Sequence, residues 1–250
     1  IIFSYGAETD KKMNIPGESL ANIHSANEFV GWYNGHPEYS HLKFDLSKES
    51  VYIFGLGNVA IDIARVLGKT NNELKTSDIS QSALDALNKT NIKDIYLIGR
   101  RGPTQAAFTP LELEELSKLE NCHIHINQED LKLNQASLEE LPESNKAKRN
   151  YELLCELAKK EQGSKQKTIF IKFLQGTLSF NGEDQIESIT FDKNKLEGTK
   201  GRQSAKAKNT PFTEPCGIAF KSIGYKGIPM EGLPFNENWG TIPHEKGQIL

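Results

Sequence analysis

Cysteine, methionine and tryptophan are scarce in this chain, at three, two and two among 250 residues. The cysteines, Cys122, Cys155 and Cys216, stand far apart, are odd in number and form no CxxC pair. That pattern argues against a disulfide framework or a zinc site, and for three reduced thiols in a reducing compartment. The six histidines contain no HExxH pattern. His123 and His125 flank Ile124 and would share one face of a strand, which reads as a solvated face rather than a metal site. No apolar run approaches the roughly 20 residues that a membrane-spanning helix needs. The formal charge of −3 gives no reason to expect a nucleic acid or a membrane surface. No internal repeat is visible, and there is neither an initial methionine nor a charged leader. IIFSYGAE instead opens on an apolar run, read here as a buried strand over residues 1–8 and as the sign of an excised piece. On that expectation the chain carries no information about targeting.

A chain of this length can bury a substantial core as one large domain or two smaller ones. SANEFVGWYNGHP places Phe29, Trp32 and Tyr33 at helical spacing before Gly35 and Pro37, a short amphipathic helix with a glycine stop. VYIFGLGNVAIDIARVL, residues 51–67, is an apolar strand that breaks at Gly55-Leu56-Gly57 and restarts as a helix with a broad apolar face. Asp78-Ile79-Ser80-Gln81 has the form of a capping box, so residues 68–90 read as an insertion of helix and loop. The next strand is Ile95 to Ile98 in DIYLIGRRG. TPLELEEL begins a helix with Thr109 as N-cap, Pro110 at the first position and Glu112 three after the cap. CHIHI is a candidate strand, and RNYELLCELAKK a helix. TIFIKFLQGTLSF and QIESITFDKNKLEG read as antiparallel hairpin strands. KGRQSAKAKNT reads as a solvated loop, GIAFKSIGY as a buried strand, and residues 228–250 as turn-rich. Strand and helix alternate before the strand pairs arrive, which implies an α/β fold: a Rossmann-like parallel sheet with an antiparallel β excursion.

Gly55-x-Gly57-x-x-Ala60 assigns a physical task to each position. The first glycine makes the turn, the second lets backbone approach a pyrophosphate, and the small third residue lets helix pack on strand. Asn58 and Val59 open that helix, whose free amides and positive dipole end suit a phosphate. An NAD site would place an acid about 20 positions later, at the end of the second strand, to bind the ribose hydroxyl. Asp78 is close to that spacing but reads as a helix cap. The second strand comes later, and at its end stand Arg100 and Arg101. Paired guanidiniums grip a 2′-phosphate, whereas an acid would repel it, so the expected cofactor is NADP rather than NAD. Glu112 has a sufficient purpose in its capping box and is a second candidate for contact with the cofactor.

The blocks SYGAE, IPGE, FVGWYNGHP, GLGNVAIDIARVL, IGRRGPTQAAFTPLELEEL and PCGIAFKSIGYKGIP resemble, in this order, the adrenodoxin reductase family of ferredoxin-NADP reductases. The resemblance covers residues 1 to about 230. It implies a glutathione-reductase-like flavoprotein with two dinucleotide-binding domains, in which an NADP domain interrupts an FAD domain. Residues 1–9 would then end the first part of the FAD domain, 10–227 form the NADP domain, and 228–250 return to the FAD domain. NADPH would pass hydride to FAD, and the flavin would pass single electrons to an iron-sulfur ferredoxin, with no catalytic side chain in this segment. By motif position, Gly55, Leu56, Gly57, Asn58 and Val59 correspond to the family's pyrophosphate loop, Arg100 and Arg101 to its 2′-phosphate clamp, and Glu112 to a cofactor-contacting carboxylate. Leu56 departs from a commonly polar position. Lys146, Lys148 and Arg149 resemble part of a docking surface for an acidic ferredoxin, although Glu114 stands where a basic residue is expected. A location in the mitochondrial matrix or a related organelle follows from the resemblance alone. The alternatives are another flavin oxidoreductase of the glutamate-synthase small-subunit type and a nucleotide-binding module without redox activity. The first commonly carries cysteine-rich iron-sulfur segments, which this chain lacks.

Overall fold

A computed structural model describes residues 1–7, 9–160 and 163–249. The chain begins with the short strand β1 (Thr9–Asp10), followed by β2 (Ile23–Ser25) and α1 (Ala26–Tyr33). Strand β3 (Ser50–Phe54) leads to α2 (Asn58–Gly68), α3 (Asn71–Lys75) and α4 (Gln81–Leu87) before β4 (Asp94–Ile98). Next come α5 (Pro110–Leu116), β5 (Cys122–Ile126), α6 (Gln135–Glu140) and α7 (Asn145–Leu157). Strand β6 (Lys167–Lys172) precedes β7 (Gln175–Asn181), β8 (Ser188–Glu197), β9 (Ser204–Pro215) and β10 (Ile218–Lys221). The short strands β11 (Tyr225–Lys226), β12 (His244–Glu245) and β13 (Gln248–Ile249) close the chain.

These elements divide into two compact units. One comprises Ile1–Asn14 with Ile223–Leu250, and the other Ile15–Ser222. In the smaller unit β1 pairs antiparallel with β11, and β12 with β13. The apolar opening IIFSYGA is not a strand: Ile1 and Ile2 are exposed, and regular pairing begins only at Thr9. Apolar composition cannot make a strand whose backbone groups find no ladder partner. Glu8 lies outside the described residues.

The larger unit is built on a six-stranded parallel sheet in the order β2-β10-β3-β4-β6-β5. Val51, Ile53, Ile95, Leu97, Ile169 and Ile171 project from one face and are buried. They meet Ala60, Ile61, Ile63, Ala64 and Leu67 of α2, with Phe29 and Trp32 of α1, in one continuous core. Each fully buried Ile or Leu there contributes roughly 1.5–3 kcal/mol, enough to fix α2 against the sheet. On the other face, Phe54 packs against Phe180 and Phe191 of the antiparallel sheet β7-β8-β9.

Several elements differ from the sequence expectation, each for a local reason. TIFIK does not pair with its neighbour in sequence; as β6 it inserts between β4 and β5. Its buried side chains are the alternate ones, Ile169 and Ile171, which is the pattern expected of a hairpin strand as well. The segment AKAKNT is not a loop but part of β9, a solvated strand whose lysines remain exposed while its backbone pairs with β8. The N-cap of α4 is Ser80, not Asp78: the Ser80 hydroxyl accepts from Ala83 N–H. Two capping boxes were missed, Ser25 with Glu28 at α1 and Thr70 with Glu73 at α3.

Candidate functional site

Strand β3 delivers the chain to Gly55 at the carboxyl end of the sheet. Gly55 has φ 128°, a left-handed conformation, and an added Cβ would stand 2.0 Å from the Ser222 carbonyl oxygen just beyond β10. Only glycine suits both demands. The Gly55 N–H donates to the Ile98 carbonyl at 2.9 Å, and the Ser222 N–H donates to the Phe54 carbonyl at 2.8 Å. The ends of β3, β4 and β10 therefore converge. Strand β3 has its sequence successor β4 on one side and the late-arriving β10 on the other. That reversal is the topological switch point at which open α/β sheets bind ligands.

Gly57 is the N-cap of α2, with φ −108° and ψ 176° and no side chain to occupy the helix's first amides. A Cβ built there meets nothing within 4 Å. The N–H groups of Asn58, Val59 and Ala60 belong to the unsatisfied first turn, at the positive end of an 11-residue helix. An anion fits that opening without further side chains.

A second segment is tied to this loop by three hydrogen bonds. The Leu56 carbonyl accepts from Ala107 N–H at 2.7 Å and from Phe108 N–H at 2.9 Å, and Asn58 Oδ1 accepts from Thr109 N–H at 2.8 Å. The Leu56 side chain lies over Gly99, where an added Cβ would fall 2.3 Å from Leu56 Cδ1. Its apolar character thus serves packing between two loops. Arg100 and Arg101 follow Gly99, both exposed, and neither guanidinium has an ion-pair or hydrogen-bond partner among the described residues.

Glu112 behaves differently from its sequence reading. The Thr109 hydroxyl accepts from Glu112 N–H at 3.5 Å, but the carboxylate does not return to Thr109 N–H, which Asn58 has taken. Only half of the capping box forms. The carboxylate instead lies 3.5 Å from Arg65 Nη1 of α2, an ionic contact without hydrogen-bond geometry, and its Oε2 is buried with no hydrogen bond among the described residues. Arg65 is shared with Asp62 and Glu115.

The basic cluster is not a free cationic patch. Lys146 Nζ donates to the Ala107 carbonyl at 2.6 Å, and Arg149 pairs with Glu114 at 2.8 Å and with Glu152 at 3.9 Å. Of the three residues, two are engaged within the chain, and Glu114 is the reason for one of them. Lys148 is exposed.

No protein-family model matches the chain. Along its entire length, however, it is 42% identical over 260 residues to the mitochondrial NADPH:adrenodoxin oxidoreductase of Arabidopsis thaliana, covering 54% of that protein. It is 35% identical over 256 residues to the NADPH-ferredoxin reductase FprA of Mycobacterium tuberculosis, covering 55% of it. The solved structure of M. tuberculosis FprA in complex with NADPH matches with a TM-score of 0.91 at 36% identity, over 99% of this chain and 55% of that one. The chain is homologous to part of the adrenodoxin reductase family. It spans about half the length of the curated relatives it matches.

In this adrenodoxin reductase homologue, sequence reasoning overlooked the residues that brace the two loops. Asn150, fully buried on α7, donates from Nδ2 to the Phe108 carbonyl at 2.8 Å, one helical turn beyond Lys146. Gln105 Oε1 accepts from Gly102 N–H at 3.1 Å, and its Nε2 reaches the buried Ser137 hydroxyl at 3.5 Å. The available signal was Asn150 itself, an amide at a core position of an amphipathic helix. A buried amide calls for partners, and here its Nδ2 finds the neighbouring backbone while its Oδ1 has no hydrogen bond among the described residues.

Proposed function

We propose that this chain is the NADP(H)-binding part of a flavoprotein that transfers electrons from NADPH to a ferredoxin-type iron-sulfur protein. The observation that carries the reading is the pairing of an uncapped helix amino terminus at Gly57 with two unpartnered arginines beyond Gly99, joined through Leu56. Gly55, Leu56, Gly57, Asn58 and Val59 would receive the pyrophosphate on backbone amides, with Asn58 also holding the neighbouring segment. Arg100 and Arg101 would grip the 2′-phosphate, and the carboxylate of Glu112, turned from Arg65, would accept from a hydroxyl of the cofactor. The residues suit the group chemically, since charge and donors are concentrated where the pyrophosphate and the 2′-phosphate would lie.

When bound, NADPH would supply hydride chemistry, to be taken up by a flavin held outside these residues in the whole protein. That whole activity, the flavin site and the iron-sulfur partner are part of the proposal, supported by the names of relatives of about twice this length. We assign residues 10–227 to the NADP domain and 1–9 with 228–250 to the FAD domain. Supporting this, the compact units divide after Asn14 and after Ser222, close to those boundaries. The mitochondrial matrix or a related organelle is the location we favour, supported by the mitochondrial oxidoreductases of Arabidopsis and Homo sapiens among the relatives, with bacterial FprA proteins standing against it.

The test is calorimetric titration of the chain with NADP and NAD. Two charge-assisted contacts at about 1.5 kcal/mol each are worth roughly 100-fold in affinity. Arg100→Ala with Arg101→Ala should remove that factor for NADP and leave NAD unchanged. Equal binding of the two nucleotides by the unaltered chain would refute the clamp.

A further inference from the structure

The turn that carries the arginines is held by the antiparallel sheet, not by the parallel sheet alone. Three consecutive carbonyls at the end of β4 each receive a hydrogen bond from that side. The Gly99 carbonyl accepts from Gln175 N–H at 3.0 Å, the Arg101 carbonyl from Leu174 N–H at 3.0 Å, and the Arg100 carbonyl from Asn194 Nδ2 at 2.9 Å. Fixing three successive carbonyls fixes the peptide planes between them, and with them the directions in which both arginine side chains leave the backbone. Two of the donors are backbone groups. The third is a side chain, and it holds the carbonyl of Arg100 itself.

Asn194 is built into position. It is 6% exposed, on β8, and its own N–H donates to the Leu174 carbonyl at 2.7 Å. Leu174 has φ 55°, an uncommon conformation for a branched residue, and its two backbone bonds join β8 to the arginine turn. The burial pattern of β8 changes beside this point: Ile189 and Phe191 are buried, and then Asp192 and Asn194. The registers are irregular at neighbouring places, β7 with β8 between Thr177 and Ser179 opposite Phe191 and Thr190, and β8 with β9 between Asp192 and Asn194. The Asp192 carboxylate accepts from Asn209 N–H and Thr210 N–H, both at 3.0 Å, which secures the irregularity. Beyond it Asn194 and Leu196 face the turn; a Cβ added at Gly102 would lie 3.1 Å from Leu196 Cδ1.

We infer that Asn194 is a positioning residue for the arginine pair and thereby sets the preference for a 2′-phosphorylated nucleotide. The inference rests on the NADP reading above. It assigns the antiparallel excursion a task in selectivity, through a residue that does not touch the ligand. A residue that merely satisfied a buried carbonyl would alter stability and affect both nucleotides alike.

The experiment titrates the 250-residue chain and its variants with NADP and NAD. Asn194→Leu keeps the branched shape of the side chain with bulkier methyl ends, adds no charge and removes the donor. Gly176→Ala tests the same contact without altering Asn194, since the new Cβ would fall 2.9 Å from Asn194 Oδ1 and must displace that side chain. Either variant should weaken NADP about 10-fold and change NAD by less than about 2-fold. Introduced together with Arg100→Ala and Arg101→Ala, Asn194→Leu should add nothing, because its effect passes through the arginines. An equal loss for both nucleotides, an unchanged preference, or a further loss in the arginine-free background would overturn the inference. If Asn194→Leu does not fold, Gly176→Ala decides by the same criteria. An unaltered chain without preference for NADP would instead refute the underlying reading.

Discussion

The two glycines of the loop should respond oppositely to the same methyl group. At Gly55, alanine meets φ 128° and the Ser222 carbonyl oxygen at 2.0 Å. Left-handed strain of about 1–3 kcal/mol and overpacking of about 1–3 kcal/mol together predict a loss of roughly 2–6 kcal/mol. For a chain of this size that lowers the melting temperature by about 4–24 °C. At Gly57 the backbone is extended, with φ −108° and ψ 176°, and the new Cβ finds no atom within 4 Å. The small cost of alanine at an N-cap and the gain from a less flexible unfolded chain offset each other to within about 1 kcal/mol. Folding is therefore preserved, but the methyl occupies the open space through which, in the proposed cradle, phosphate would approach the amides of α2. Losing about two charge-assisted contacts weakens binding roughly 100-fold. Because the pyrophosphate is common to NADP and NAD, both should suffer equally, unlike the arginine variants. Differential scanning calorimetry reads the first effect and calorimetric titration the second. Gly57→Ala binding both nucleotides normally would refute the phosphate cradle, and Gly55→Ala melting with the unaltered chain would refute the strain argument.

Three further outcomes follow from buried titratable groups and from the exposure of the thiols. His24 packs against Phe44 and Phe220, with Nε2 buried and without a hydrogen bond among the described residues, and burial holds its pKa below the ordinary value despite opposition from Glu28. The unfolded chain binds that proton more readily, so stability is complete above about pH 6.5 and falls as the pH drops toward the folded-state pKa. His24→Phe should flatten the decline in melting temperature between pH 7.5 and 5; an identical slope would contradict the assignment. Burial pushes the Cys122 thiol up to about 11 and the Cys216 thiol up to about 12. Their contribution is complete below the ordinary thiol pKa of about 8.5 and is lost as the pH rises through about 11, so melting temperature should fall over that range. At pH 8 a thiol reagent should modify half-buried Cys155 before either of the others; mass spectrometry of the labelled chain checks the order.

What the sequence conveyed well was whatever depends on contiguous residues. The strand, glycine turn and helix at 51–67 are one local unit, and the buried faces of α1 and α2 follow directly from apolar spacing. What it conveyed poorly depends on partners distant in the chain. TIFIK looks the same whether it pairs with β7 or enters the sheet beside β4, because alternation reports which side is buried and not the neighbour. The T-x-x-E box was correct in its hydroxyl half, but the Glu112 return bond lost its donor to Asn58, more than 50 positions away. The basic cluster failed likewise, since Arg149 is neutralised by Glu114 from another helix.

The proposed partner for the ribose phosphate illustrates why such a separation need not disturb a site. The spacing of about 20 residues between glycines and partner assumes a single helix between the first two strands. Here α2, α3 and α4 intervene, so counting along the chain leads to Asp78. The pairing of β3 with β4 is indifferent to that insertion. Its register places Phe54 opposite Ile98, so the residues that follow, Gly55 and Gly99, leave the sheet side by side. Leu56 then rests on Gly99, and the arginines begin one residue later. The insertion does contribute to the core through Leu74, Ala83, Leu84 and Leu87, and changes there should register in stability. Changes in its exposed connections cost little, because loop-closure entropy rises only slowly with length. The geometry of the candidate site is thus set by strand register and by the small size of Gly99, and the arginines keep their place beside the glycine turn however long the intervening chain becomes.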